Sequence, residues 1–508
     1  MSINSLRKVL GKIYSNYYLM LFIVCFIINI GLVTVGWKHS LSDFHGFRQS
    51  QVAISIYYLL KDGFTLNYQT PVLGAPWSIP LEFPTYQFLV ASLVKIFGFQ
   101  IETTGRFVSL VFFYLCITTV LLILKELGIE HNKRLLSASL ILISPVYIFW
   151  SRTTLIESTA LALSLLYIYF LILAIDGSKK TWLMLATAII GSIAGMTKPT
   201  TFTPFIFLAC VIVFSKFKTR NTFISEFFKV FIFYIGVPLV FSGLWLMYAG
   251  FTRNQNPLAG FLSSTALTKM WYLGAWQKRL SFFSWKYLML KVMVVDMPYV
   301  TPLVILGLVC NIFRKIPRRD VMLIIGLMLS FLIGPVIFTK LWYYHDYYAY
   351  ESEVFLLIVL GIFLVHLINS KYIGVFGQVI IIPVCIILSI YSYKIAYYKY
   401  QSENFTYGNN LGAIIERQTK VGGVILYYIN DWNTQIPYYS KRKALMDREN
   451  LPLTDPKIQR SLELTGRENI AGVLSINKNR DFLKPRIDYF GLKSEPVYED
   501  DWAVLYTK

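Results

Sequence analysis

The stretch SDFHGFRQSQVA, Ser42 to Ala53, follows directly on a long apolar run and packs Asp43, His45, Arg48 and Gln49 into a few residues. Charges at the mouth of a membrane-length run are costly unless they are paired or hydrated, which makes them a site hypothesis by default. Other ionisable residues stand at the ends of other apolar runs. They are Glu82 in IPLEFPTYQ, Arg106 in GRFVSLVFF, Arg152 and Glu157 in WSRTTLIESTALALSLLYIYF, Lys198 in GMTKPTTFTPF, and His345 and Asp346 in TKLWYYHDYYAYESE. Acids and cations gathered at one membrane face suit transfer of a sugar from a polyprenyl phosphate. The acceptor hydroxyl needs a carboxylate base. A second carboxylate supports an oxocarbenium-like transition state. The phosphate leaving group is already weakly basic and needs cations rather than a protonated acid. Asp43 and Glu157 are the expected acids of the reaction, and His45, Arg48, Glu82, Lys198, His345 and Asp346 the expected substrate contacts.

Each residue also has a plain structural reading. Asp43 suits the N-cap of a helix over QVAISIYYLL. Glu82 before Pro84 suits a turn. Glu157 suits the positive end of a helix, Lys198 a lysine reaching for headgroups, and His345 and Asp346 an aromatic interface belt. Arg106 and Arg152 read as structural or lipid-paired.

The elements that must position these groups follow from composition. The chain has 508 residues, 56% of them hydrophobic and 17% aromatic, with a mean hydropathy of +0.54. That excludes a string of soluble domains and fits a polytopic membrane protein. The net charge of +20 fits a positive-inside membrane protein, and no Lys/Arg-rich arm argues for nucleic acid. The five cysteines are isolated in apolar runs, with neither metal spacing nor a disulfide framework. The first run, with no small-residue cleavage site after it, reads as a retained signal anchor.

Eleven apolar runs occur, from about 18–36 to about 373–393. With the N-terminus in the cytoplasm, the short connections carrying Lys125, Lys133 and Arg134, then Lys179 and Lys180, Lys216, Lys218 and Arg220, Arg314, Lys315, Arg318 and Arg319, and finally Lys371 all fall inside. Phe83–Gly98, short and carrying Lys95, reads as an interfacial helix. The expected orientation is N-terminus in and C-terminus out. From about residue 400 the runs GGVILYYIN, IAGVLSIN and WAVLYT predict a small soluble α/β domain. The boundaries are 1–398 for the membrane domain and 399–508 for the extracytoplasmic domain.

This ordered set of stretches resembles the GT-C membrane glycosyltransferases, in particular the bacterial relatives of the protein O-mannosyltransferases and of the lipid A aminoarabinose transferase. The resemblance rests on SDFHGFRQSQVA, LEFPTYQFLVASLVKIFG, GRFVSLVFF, LIESTALALSLLYIYF, GMTKPTTFTPF, the HDYY stretch and DWNTQIPYYSKRKAL. It implies an α-helical polytopic protein of GT-C fold with about eleven transmembrane helices, interfacial helices in the first outer loop and a small C-terminal α/β domain. It also implies a hexosyl- or pentosyltransferase of the plasma membrane that uses a polyprenyl-phosphate sugar and a glycan, lipid or protein acceptor. By the resemblance Asp43 is the base or acceptor-orienting group, and Glu157 stands where many relatives carry Asp. Glu82 is the acid of the first-loop Glu-x-Pro stretch, with Phe83 where some relatives have lysine. Asp43 is followed by Phe44, not by the Glu of the protein mannosyltransferases, which weighs against a protein acceptor.

Two rival classes stay in view. One is a glycan ligase or oligosaccharyl transferase using a lipid-pyrophosphate donor, and the other is a lipid or sugar transporter, whose sites lie near mid-membrane. No cofactor is demanded. Asp43, His45, Glu82, His345 and Asp346 offer ligand types for a divalent cation, at no spacing that requires one.

Overall fold

The computed structural model describes residues 3–176, 181–217, 228, 231–310, 312, 316–370, 373, 377–429 and 431–508. The basic connections at Lys179, Lys180, Lys218, Arg220, Arg314, Lys315 and Lys371, and the side chain of Lys216, lie outside the described residues.

The chain is mainly helical, because a backbone in hydrocarbon must satisfy its own hydrogen bonds. The first nine α-helices are α1 (Ile3–Val33), α2 (Gly46–Asp62), α3 (Thr85–Phe97), α4 (Ile101–Glu126), α5 (His131–Ile143), α6 (Pro145–Trp150), α7 (Glu157–Asp176), α8 (Thr181–Thr197) and α9 (Pro199–Phe217). The eleven apolar runs fall mainly on helix. Among the described residues seven helices are long and apolar enough to cross a membrane: within α1, α4 and α7, and at Ile232–Arg253, Arg318–Ile337, Asp346–Ile368 and Gly377–Gln418. The other runs differ for identifiable reasons. Ser144, held extended before Pro145, separates α5 from α6. The run expected at 288–313 is a pair of helices, Phe282–Asp296 and Val300–Val309, bent by 91° at a break that contains Pro298. Helices α8 and α9 are shorter apolar helices that meet at Lys198–Pro199. Helix α3 has 13 residues and is about 20 Å long, too short for a hydrocarbon core of about 30 Å.

The chain divides into two units of discontinuous segments. One comprises Met1–Trp37, Ser109–Gly243 and Lys269–Ser402; the other comprises Lys38–Val108, Leu244–Thr268 and Glu403–Lys508. The second unit is built on a five-stranded sheet of order β2-β1-β3-β5-β4. Its strands are β1 (Val424–Tyr428), β2 (Lys443–Met446), β3 (Ile470–Ser475), β4 (Tyr498–Glu499) and β5 (Val504–Thr507). Strand β1 pairs in parallel with β2 and β3, while β5 is antiparallel to β3 and β4. Strands β1, β3 and β5 lie in the three expected runs; β2 and β4 carry no alternating signal in so few residues.

Side chains alternate across this sheet, and its two faces are buried against different partners. Val424, Leu426 and Tyr428 join Ile458, Leu462, Leu483 and Ile487 of the sheet's own helices. Ile425 and Tyr427 join Ala53, Ile54 and Tyr58 of α2, with Val72 and Ile79 of the first loop. Residues 71–74 extend the β2 edge: Ala444 N–H donates to Pro71 O (2.9 Å), Met446 N–H to Val72 O (3.0 Å) and Gly74 N–H to Ala444 O (3.0 Å). The segment after residue 403 thus shares its core with the first loop.

Candidate active site

Asp43 stands in the turn that leads into α2. His45 adopts left-handed backbone angles (φ 53°, ψ 35°) just before the helix, a conformation that His tolerates better than most residues. Gly46 N–H then donates back to Asp43 O (2.8 Å). The Asp43 side chain is 9% exposed, and Gln49 Nε2, one helical turn on, donates to its Oδ1. The turn is tied down from outside α2. Arg106, fully buried, donates to His39 O (2.7 Å) and Ser40 O (3.2 Å). Leu41 N–H donates to Tyr439 Oη (2.7 Å), Thr434 Oγ1 to Phe47 O (2.7 Å), and Ser50 and Thr434 hydroxyls bond at 2.7 Å. The DWNTQIPYYSKRK stretch of the C-terminal segment is therefore part of what positions Asp43.

Arg48 and Glu82 form an ion pair in the same unit. Arg48 Nη2 lies 2.9 Å from Glu82 Oε2, and Gln87 Nε2 donates to Glu82 Oε1 (3.0 Å). Tyr68 Oη donates to Glu82 O (2.9 Å), and Arg48 Nη1 donates to Gln51 Oε1. Both carboxylate oxygens of Glu82 are thus engaged by donors within its own loop. His45 packs its ring against Phe44, at a centroid distance of 4.6 Å.

The other unit carries a second buried charge cluster. Glu157, the first residue of α7, and Lys198, at the α8–α9 junction, are 2% and 7% exposed. Lys198 Nζ donates to Glu157 Oε2 and lies 3.6 Å from Glu351 Oε2. Thr201 Oγ1 donates to that same Glu351 oxygen (3.0 Å). The Tyr348 ring covers the ammonium, with its centroid 4.3 Å away. One lysine therefore serves two buried carboxylates. His345 stacks on Trp271 and Tyr347, at centroid distances of 5.9 and 5.3 Å. Asp346 accepts from Lys291 Nζ, while Asp296 and Glu353, both fully buried, lie within electrostatic reach of Lys291. Arg152 Nη2 donates to Gly36 O (2.9 Å), which makes it, like Arg106, a tie to backbone carbonyls.

Sequence reasoning did not single out Gln87, Glu351, Lys291 or Thr201, or Gln49 as the donor to Asp43. Gln49 and Glu351 stand in stretches already marked, SDFHGFRQSQVA and YYAYESE. Gln87 and Thr201 also stand in marked stretches, IPLEFPTYQ and GMTKPTTFTPF, whereas Lys291 carries no local signal. Among the described residues no group of three or more His, Cys, Asp or Glu side chains is arranged to hold a metal ion. Of the residues considered as cation ligands, Glu82 already has both carboxylate oxygens bonded and Asp346 has Lys291.

Comparison with known proteins bears on this geometry. Residues 80–245 match the family model described as dolichyl-phosphate-mannose-protein mannosyltransferase. No curated protein matches the sequence. Among solved structures, the chain resembles ArnT from Cupriavidus metallidurans bound to undecaprenyl phosphate, with a TM-score of 0.65 and 13% identity over 97% of this chain and 98% of that one. It also resembles the oligosaccharyltransferase AglB from Archaeoglobus fulgidus in complex with an inhibitory peptide and a dolichol-phosphate, with a TM-score of 0.58 and 12% identity over 91% and 70%. A third similar structure is the arabinofuranosyltransferase AftD from Mycobacteria, with a TM-score of 0.54 and 12% identity over 96% of this chain and 39% of that one. The fold is the ArnT-like GT-C fold, and the family match lies within it, over residues 80–245.

Proposed function

We propose, from the premise of a GT-C glycosyltransferase fold, that this protein moves a sugar from a polyprenyl-phosphate carrier to an acceptor hydroxyl at the extracytoplasmic face of the plasma membrane. The observation that carries the reading is Asp43: a nearly buried carboxylate, held by Gln49 in a braced turn, in a fold shared with a protein whose structure is bound to undecaprenyl phosphate. In the proposed reaction the anomeric carbon–phosphate oxygen bond breaks and a bond to the acceptor oxygen forms. The acceptor proton passes to Asp43, and polyprenyl phosphate leaves with the bonding pair. Glu157 is the supporting acid. Lys198 is engaged by Glu157 and Glu351, and the third N–H of its ammonium is the donor proposed to meet a lipid phosphate. His345 is proposed to contact the donor from the aromatic stretch, and Asp346 to orient Lys291. Arg48 and Glu82 are proposed to shape the acceptor side of the loop that carries Asp43.

The test is Asp43→Asn in purified, folded protein, with radiolabelled polyprenyl-phosphate sugars as donors and cell-envelope extract as acceptor. Asparagine keeps an oxygen for Gln49 and loses the basicity. General-base catalysis is typically worth about 10²–10⁴ in rate, so transfer is expected to fall by that factor with polyprenyl-phosphate binding retained. Near-normal transfer would remove Asp43 as the base.

A further inference from the structure

A cleft of about 630 Å³ opens within the sheet-containing unit, bounded by Ile429 and Ile476 just beyond the ends of β1 and β3. These are the carboxyl ends of parallel strands, where open α/β sheets hold ligands. The volume lies in the range of small-molecule sites, about 300–1,000 Å³. Its chemistry is uneven in an informative way. Ser42, Tyr407, Asp431, Asn433, Gln435 and Trp502 supply its hydroxyl, carboxylate, amide and ring groups, and among the described lining residues none is basic.

The aromatic part is preformed. Tyr407 and Trp502 meet edge to face, with ring centroids 5.5 Å apart at 86°, and both remain 43% exposed. Asp500 pins this corner: it accepts from Tyr407 Oη (2.8 Å) and Tyr498 Oη (2.6 Å) on one oxygen, and from Trp502 N–H (2.9 Å) and Ala503 N–H (2.7 Å) on the other. These donors hold its carboxyl down at about 2, so it stays an acceptor throughout the physiological range. The amide part is also ordered, since Asn433 Oδ1 accepts from Gln435 N–H (3.0 Å). Ser42 Oγ is buried in the cleft wall with no hydrogen-bond partner among the described residues, and its chain neighbour is Asp43.

We infer that this cleft binds the saccharide part of a neutral glycan acceptor, an assignment that rests on the transferase reading above. Exposed rings at a right angle suit the carbon–hydrogen faces of a pyranose. Amides and a carboxylate suit its hydroxyl groups. A phosphorylated acceptor would meet the Asp431 carboxylate, whose cationic partner, Arg448, is already engaged by it (Nε to Oδ1, 3.3 Å), and no basic residue among the described lining residues. Ser42, in the cleft wall, is the chain neighbour of Asp43, the proposed base.

The experiment is saturation-transfer NMR on the full-length protein in detergent without lipid donor, with glucose, galactose, mannose, N-acetylglucosamine, cellobiose and glucose 6-phosphate as probes. Saturation should reach the ring protons of at least one neutral sugar. It should fall about fivefold in Trp502→Ala, in line with the loss of one aromatic contact, and also in Asn433→Ala, with unfolding midpoints unchanged. The inference is overturned if no neutral sugar is saturated, if the signal survives undiminished in both variants, or if glucose 6-phosphate binds better than glucose. The readout needs no transfer reaction, so failure of the transferase reading leaves sugar binding standing. Absence of sugar binding in a protein that still transfers sugar sinks the cleft alone.

Discussion

Replacing Lys198 with methionine keeps most of the side chain's length and volume and removes its charge. In the native structure the ammonium lies 3.6 Å from Glu351 Oε2, an attraction of about 4–5 kcal/mol at an effective dielectric near 20, before desolvation is subtracted. The contact with Glu157 is closer still. Breaking a buried pair by removing one partner typically costs about 3–5 kcal/mol, and here the removal strands two acids. Both carboxylates lie within about 4 Å of one ammonium, so they are no more than about 8 Å apart and repel by about 2 kcal/mol or more at that dielectric. Lys198→Met is therefore expected to lose about 3–5 kcal/mol. The double variant Lys198→Met, Glu351→Gln is expected to recover about 2 kcal/mol. The assay is the SDS denaturation midpoint of the purified full-length protein in detergent, run beside polyprenyl-phosphate binding. A single variant as stable as the native protein that fails only to bind lipid phosphate would refute the tie and make Lys198 a dedicated phosphate contact. A double variant no more stable than the single would refute the charge argument.

Arg48→Met and Glu82→Gln should each destabilise the sheet-containing unit by about 3–5 kcal/mol, and together by less than the sum. A double-mutant cycle on unfolding midpoints reads the coupling. Gln49→Leu removes the donor to Asp43 and should slow transfer while leaving lipid binding intact, as read by the assay used for Asp43→Asn. Burial pushes the Asp447 carboxyl above the ordinary carboxylate range. A raised value in the folded state costs stability as pH climbs through it and costs nothing below the unfolded value. Asp447→Asn should therefore raise the unfolding free energy at pH ~7.5 and give no gain in acid below the ordinary carboxylate range, as read by unfolding midpoints at the two pH values. In sealed right-side-out cells, a cysteine at exposed Glu403 should react with an impermeant thiol reagent and one at exposed Glu126 should not; the reverse pattern would invert the proposed orientation.

What the sequence determined by itself is what depends on a residue and its near neighbours. A run of about 20 apolar residues must be helical in a bilayer wherever its partners lie, so α1, α4 and α7 and the helix containing Glu351 were legible. The cost of a charge at a helix mouth is equally local, which is why Asp43, Glu157, Lys198 and Asp346 stood out before any partner was known. Strands β1, β3 and β5 announced themselves as apolar runs between polar stretches. Tertiary structure decided the pairings. Arg48 meets Glu82, 34 residues away, and Lys198 meets Glu157 and Glu351 because α7, the α8–α9 junction and a later helix converge. Strand β2 exists because β1 lies beside it in parallel, which no four-residue pattern announces. The C-terminal segment, which reads from sequence as a domain of its own, buries one sheet face on α2 and the first loop. The physical reason is common to all of these. Periodicity and desolvation are felt within a few residues, whereas an ion pair or a shared core forms only where the rest of the chain has met the entropy cost of bringing distant segments together.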